Sequence, residues 1–140
     1  MVAKDGDSWT LRGRTVTLLE TPGHTLGTAS YVYDVHDGAR TYRAVTVGGL
    51  GLNAIQNARR VELYIDSLAR LEQLASSGSQ PLQVHLTTHP FATGMMEQRP
   101  LLPRRTAADP HPLVDPGALR AQLDALGTDA EERAGEDEVA

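Results

Sequence analysis

The chain has 140 residues, 40% hydrophobic and 22% charged, the proportions of an ordinary globular domain rather than of a disordered chain. No apolar run reaches the ~18–20 residues that cross a bilayer, and Met1 to Gly6 offers no apolar leader, so the chain reads as soluble and without a signal peptide. Cysteine is absent, which excludes disulfide scaffolds, thiolate zinc sites, redox centres and cysteine nucleophiles; any metal would be held by His, Asp or Glu.

The net charge of −5 is local. Residues 129–140 hold six acids against Arg133, whereas residues 1–128 carry twelve of each sign. No basic stripe is left for nucleic acid or an anionic membrane, and neither is expected as a partner. Residues 129–140 read as a solvated, disordered acidic tail behind the folded residues 1–128.

Alternating apolar and β-branched residues broken by glycines predict strands in the first third. Trp9-Thr10-Leu11 and Thr15 to Leu19 form a hairpin around Gly13. The loop Glu20 to Gly27 leads to a strand from Thr28 to Val35, with Tyr31, Tyr33 and Val35 on one face. Asp37-Gly38 turns the chain into a strand from Tyr42 to Val47, which runs into Gly48-Gly49-Leu50-Gly51-Leu52-Asn53. From Asn57 to Ala75 the period changes: Val61, Tyr64, Ile65, Leu68, Leu71 and Ala75 mark an amphipathic helix. Pro81 prevents its resumption, and Leu82 to Leu86 alternates as a short strand with Leu82, Val84 and Leu86 inward and His85 outward. Residues 99–116, with five prolines, read as an irregular surface excursion, and Gly117 to Leu126 as a last short helix.

His24 lies in Pro22-Gly23-His24-Thr25, between two strands, on a short loop stiffened by proline and bent by glycine. Such preorganisation suits a metal ligand, which needs a fixed position and tautomer; a turn histidine bonded only to its neighbours is the alternative. His89 follows the short strand in the same way, 65 residues further on. His85, His36 in the hairpin tip and His111 between prolines are expected to be surface residues. The glycine run lacks the spacing and the Lys-Ser/Thr of a phosphate loop, the serines lie in no nucleophile elbow, and Asp66 with Arg70 reads as an i,i+4 surface pair. Met95-Met96 beside Phe91 reads as packing near His89.

The stretch Asp7 to Gly13 followed by Thr15 to Ser30, with Thr21-Pro22-Gly23-His24-Thr25 at its heart, resembles the third metal motif of the metallo-β-lactamase superfamily. Thr87-Thr88-His89-Pro90 resembles its last motif, and the helix between them falls where the family has one. The likeness spans residues 7–126. It implies an α/β (α+β) fold, the C-terminal half of an αββα sandwich, mostly antiparallel sheet with flanking helices. It also assigns His24 to the three-histidine zinc site and His89 to the second site, for one or two zinc ions in the complete fold.

Two departures sharpen the resemblance. Where many superfamily hydrolases place a bridging Asp, and two metallo-β-lactamase subclasses a cysteine, this chain has Gly48-Gly49, as the third subclass lacks a ligand there. The His-x-His-x-Asp-His motif, which lies upstream of Pro-Gly-His in the family, has no counterpart among the 23 residues before His24. The expectation is therefore the C-terminal portion of a zinc-dependent hydrolase in which a metal-bound hydroxide attacks a β-lactam. Alone, the chain is expected to be inactive, to need its missing N-terminal half or to self-associate, and to derive from a periplasmic or secreted parent if that parent is a true β-lactamase. A lactone, thioester or phosphoester substrate, or an inactive fragment, are the other readings.

Overall fold

The computed structural model describes residues 2–139 apart from 78, 88 and 90–93, and the side chains only up to residue 135. Five strands form one sheet in chain order: β1 (Ser8–Leu11), β2 (Arg14–Glu20), β3 (Ala29–Asp37), β4 (Arg40–Val47) and β5 (Val84–Thr87). The first four make an antiparallel meander and β5 pairs parallel with β4. The parallel pair requires a crossover, supplied by helix α1 (Ala58–Ser76). Asn57 starts that helix by accepting a hydrogen bond from the Arg60 N–H on its side-chain oxygen at 3.1 Å. A short α2 (Met95–Gln98), a 3-10 helix (Arg99–Arg104) and a long α3 (Pro116–Val139) complete the chain. This is the α+β half-sandwich that the motifs imply. Among the described residues no helix is long and apolar enough to cross a membrane.

Register assigns the two faces of the sheet. Thr17, Val32, Val45 and His85 stand opposite one another in successive strands, as do Leu19 and Ser30, and this face meets the helices. Leu19, Val32, Val45 and Val47 pack there with Val61, Tyr64, Leu68 and Leu71 of α1 and Leu119, Leu123 and Ala130 of α3. The reverse face carries Trp9, Val16, Tyr33, Ala44 and Val84 in one row and Leu18, Tyr31, Thr46 and Leu86 in the next. Among the described residues no helix covers it, and the 111–114 segment lies only over its β5 end: Val84 is buried there, whereas Trp9 is 45% and Tyr31 39% exposed, and Val16, Tyr33, Val35 and Tyr42 are half-buried.

Three sequence expectations change. The last helix does not stop at Leu126 but continues through the acidic stretch, so the boundary drawn at 128 falls inside it. Ala130 prolongs the stripe of Leu119 and Leu123 and is fully buried, while Arg133 donates to the Leu52 and Ile55 carbonyls at 3.3 and 2.9 Å. His85 points inward, because β5 is covered on both faces: Val84 belongs to the row of Ala44, and His85 to the row of Val45 beneath the helices. Arg70 does not pair with Asp66; it grips Asp5 through two bonds of 2.7 and 2.9 Å and also donates to the Glu20 carbonyl. Asp5 is held ready by the Glu20 N–H, and the Arg70 guanidinium lowers its pKa. The proline-rich excursion is pinned to the sheet, with Arg105 clamping Asp37 at 2.9 and 2.6 Å and Val114 bridging Val84.

Candidate metal centre

The loop after β2 is closed at its base by the Thr21 N–H donating to the Thr28 carbonyl at 3.0 Å and by a bond of 2.8 Å between the Thr21 and Ser30 hydroxyls. Helix α1 holds it from below. The Ser67 hydroxyl donates to the Pro22 carbonyl at 2.7 Å, and Gly23, at φ 134°, lies so close to the helix that a β-carbon there would meet the Tyr64 backbone. Pro22 and Gly23 thus fix the height and direction from which His24 leaves the loop.

The half-buried His24 ring places Nδ1 2.8 Å from the carbonyl oxygen of Gly51, in the loop after β4. A carbonyl only accepts, so Nδ1 carries a proton, and in the neutral ring Nε2 then keeps its lone pair. This is the tautomer in which a histidine ligates zinc through Nε2, with the backbone contact fixing the ring. Gly49 makes the approach possible: its β-carbon would stand 2.7 Å from the His24 β-carbon. The glycine pair read as the site of a missing ligand is therefore also the surface on which His24 rests. The only trace of that role in the sequence is the glycine run itself.

Strands β2, β4 and β5 all point the same way, so their C-terminal ends share one edge of the sheet. The His24 loop, the Gly48–Gly51 loop and His89 follow those three ends. His24 reaches from the end of β2 across to the loop after β4, the strand next to β5. His89 is exposed, and its N–H donates to Thr87 Oγ1 at 3.0 Å. Thr88, Pro90 and Phe91 of the neighbouring expectations lie outside the described residues. Among the described residues, no three His, Asp or Glu side chains cluster as a metal-binding group. His24 by its tautomer is fit for zinc, but the edge needs further ligands to complete a site.

The remaining histidines lie apart from this edge loop. His36 is exposed and bonded to the Thr41 hydroxyl at 3.0 Å, and His111 Nδ1 accepts from the Leu113 N–H at 3.2 Å. His85 lines a cavity of about 190 Å³ beside Met95 and the start of α3. Its Nε2 has no hydrogen-bond partner among the described residues, and burial pushes its pKa down to about 4.

No protein-family model and no curated protein matches the chain. Solved structures do. A mutant of FEZ-1, the metallo-β-lactamase from Legionella gormanii, superposes with a TM-score of 0.84 at 24% identity, over 99% of this chain and 52% of that one. BJP-1, a subclass B3 metallo-β-lactamase of Bradyrhizobium japonicum, gives 0.78 at 24% identity over 98% and 51%. The Rm3 metallo-β-lactamase gives 0.73 at 25% identity over 99% and 51%. The chain thus has the fold of half a metallo-β-lactamase sandwich and spans about half the length of the structures it matches. That span fits the C-terminal half implied by its motifs.

Proposed function

We propose that the chain forms the C-terminal portion of a zinc-dependent hydrolase of the metallo-β-lactamase fold, with a β-lactam as substrate. The observation that carries this is the His24 ring, with Nδ1 held on the Gly51 carbonyl, at the sheet edge to which β5 also leads His89. These two histidines would hold zinc together with ligands from outside the 140 residues. Zinc, when bound, would supply an activated water and polarise the carbonyl under attack. The chain's own part is to hold its two imidazoles on rigid strand ends, which limits the reorganisation needed as the reaction proceeds.

The uncovered face of the sheet supports the same reading. Trp9, Val16, Tyr31, Tyr33 and Tyr42 form an apolar and aromatic surface of the kind that packs on a second sheet in a sandwich. A complementing N-terminal half is the occupant that fits it.

The test is to join or co-express the chain with an upstream half carrying His-x-His-x-Asp-His. Hydrolysis is then measured on a panel of β-lactam, lactone, thioester and phosphodiester substrates, with zinc and after chelation. Zinc-dependent β-lactam hydrolysis that falls at least a hundredfold in His24→Ala is the expected result. Turnover of another substrate class instead would remove the β-lactam assignment. Activity unaffected by chelation and by His24→Ala would remove the metal.

A further inference from the structure

We infer that Tyr64 is a positioning residue for His24, acting through Gly51. This rests on the reading of His24 as a zinc ligand and adds the residue that sets its tautomer. The two faces of the Gly51 backbone are engaged separately: its carbonyl accepts from His24 Nδ1 at 2.8 Å, and its N–H donates to the Tyr64 hydroxyl oxygen at 3.1 Å. Tyr64 is 3% exposed, in the middle of α1, and the Gly23 backbone lies against it. One residue therefore touches both loops that define the His24 environment, its backbone and β-carbon against Gly23 and its hydroxyl on Gly51.

The arrangement has a chemical consequence. A glycine-rich loop leaving a strand end has little conformational preference of its own, so the aim of its carbonyls depends on what binds its amides. The Tyr64 oxygen holds the Leu50–Gly51 peptide by its N–H, which leaves only the Gly51 φ and ψ to aim the carbonyl of the following peptide; that carbonyl accepts from His24 and selects the Nδ1–H tautomer. Burial raises the Tyr64 pKa, so the phenol stays neutral and available as an acceptor at physiological pH. Replacing Tyr64 by Phe keeps the helix backbone and β-carbon that lie against Gly23 and removes only the oxygen.

The experiment reads the His24 ring in the metal-free 140-residue chain by long-range proton–nitrogen correlation NMR near pH 7.5. The wild type is expected to show one tautomer, protonated at Nδ1. Tyr64→Phe is expected to show a mixture with the Nε2–H form, and to speed exchange of the Gly51 amide by about fivefold to tenfold, the factor for one lost neutral hydrogen bond. An unchanged tautomer and unchanged Gly51 exchange in a folded Tyr64→Phe chain would overturn the inference. If that variant does not fold, 3-fluorotyrosine at position 64, whose oxygen is a poorer acceptor, replaces it. A displaced Gly51 amide proton with a growing Nε2–H population then supports the inference, and no change overturns it. The two readings fail separately. A tautomer that responds to Tyr64 in a protein whose joined form hydrolyses nothing with zinc leaves the positioning intact and removes the hydrolase reading, and the converse removes Tyr64 alone.

Discussion

Gly23 lies flat on Tyr64: a β-carbon at Gly23 would stand 2.4 Å from Tyr64 Cα, with the Tyr64 backbone nitrogen only 2.6 Å away. No side-chain rotation relieves a clash with helix backbone, and φ 134° is itself unfavourable for any residue but glycine. Gly23→Ala is therefore expected to cost at least about 3 kcal/mol, measured by urea unfolding. It should also pull the His24 ring off the Gly51 carbonyl, seen as a shift of its ring nitrogens.

His85 makes the chain acid-sensitive. Its folded pKa, about 4, lies below the ordinary value of 6.5, so the proton binds the unfolded chain more tightly. The stability from keeping it neutral is whole above pH 6.5 and drains away as pH falls towards 4, by on the order of 3 kcal/mol. Asp5 and Asp37, with lowered pKa values, lose stability at still lower pH. Unfolding curves at pH 7.5 and 4.5 should therefore show the wild type losing more stability than His85→Phe. Parallel losses in both proteins would show that the fold does not lower the His85 pKa.

Arg133 ties the end of α3 to the loop that leads from β4 into α1. Its two bonds, to the Leu52 and Ile55 carbonyls, are charge-assisted. Arg133→Ala is expected to cost about 1–2 kcal/mol and to speed amide exchange across residues 50–55. Truncation after residue 128 removes buried Ala130 as well and should lower Tm further. A Tm unmoved by that truncation would show that the last turns contribute nothing to the fold.

The uncovered face should govern association of the isolated chain. Trp9 and Tyr31 are its most exposed aromatic residues, and burying such a surface is favourable at about 25 cal/mol per Å². Concentration-dependent sedimentation is expected, reduced by Trp9→Lys with Tyr31→Lys. The same pair should block complementation by an N-terminal half. Unchanged association in the double variant would place the contact elsewhere.

The strand meander and α1 were legible because each has a clear period and ends at glycine or proline: β3 and β4 meet at Gly38 and α1 begins at Asn57. His24 was legible because its loop carries its own stiffening residues. What escaped was non-local. The alternation of Leu82, Val84 and Leu86 assigns one inward face, but β5 lies between the helix layer and the 111–114 segment, so His85 is buried too. Arg70 finds Asp5, 65 residues away, a partner that helix spacing cannot reveal. The acidic residues at the end masked a stripe of small and apolar residues, Ala130 and Ala134, that keeps α3 on the core.

The parallel pairing of β4 with β5 has one more consequence. Strands β1 to β4 are joined by two tight turns and the loop of residues 21–28 and can close as a local unit, whereas Val47 and its partner Thr87 are 40 residues apart along the chain. Closing that long loop carries an entropic cost that the meander never meets, so β5 is the strand whose release frees the most chain. An opening confined to β5 would strip His89 from the edge while α1 and the meander kept His24 on Gly51. The two imidazoles thus reach the edge by routes of different sequence separation, His24 on a loop of the local meander and His89 behind the strand that closes the long crossover.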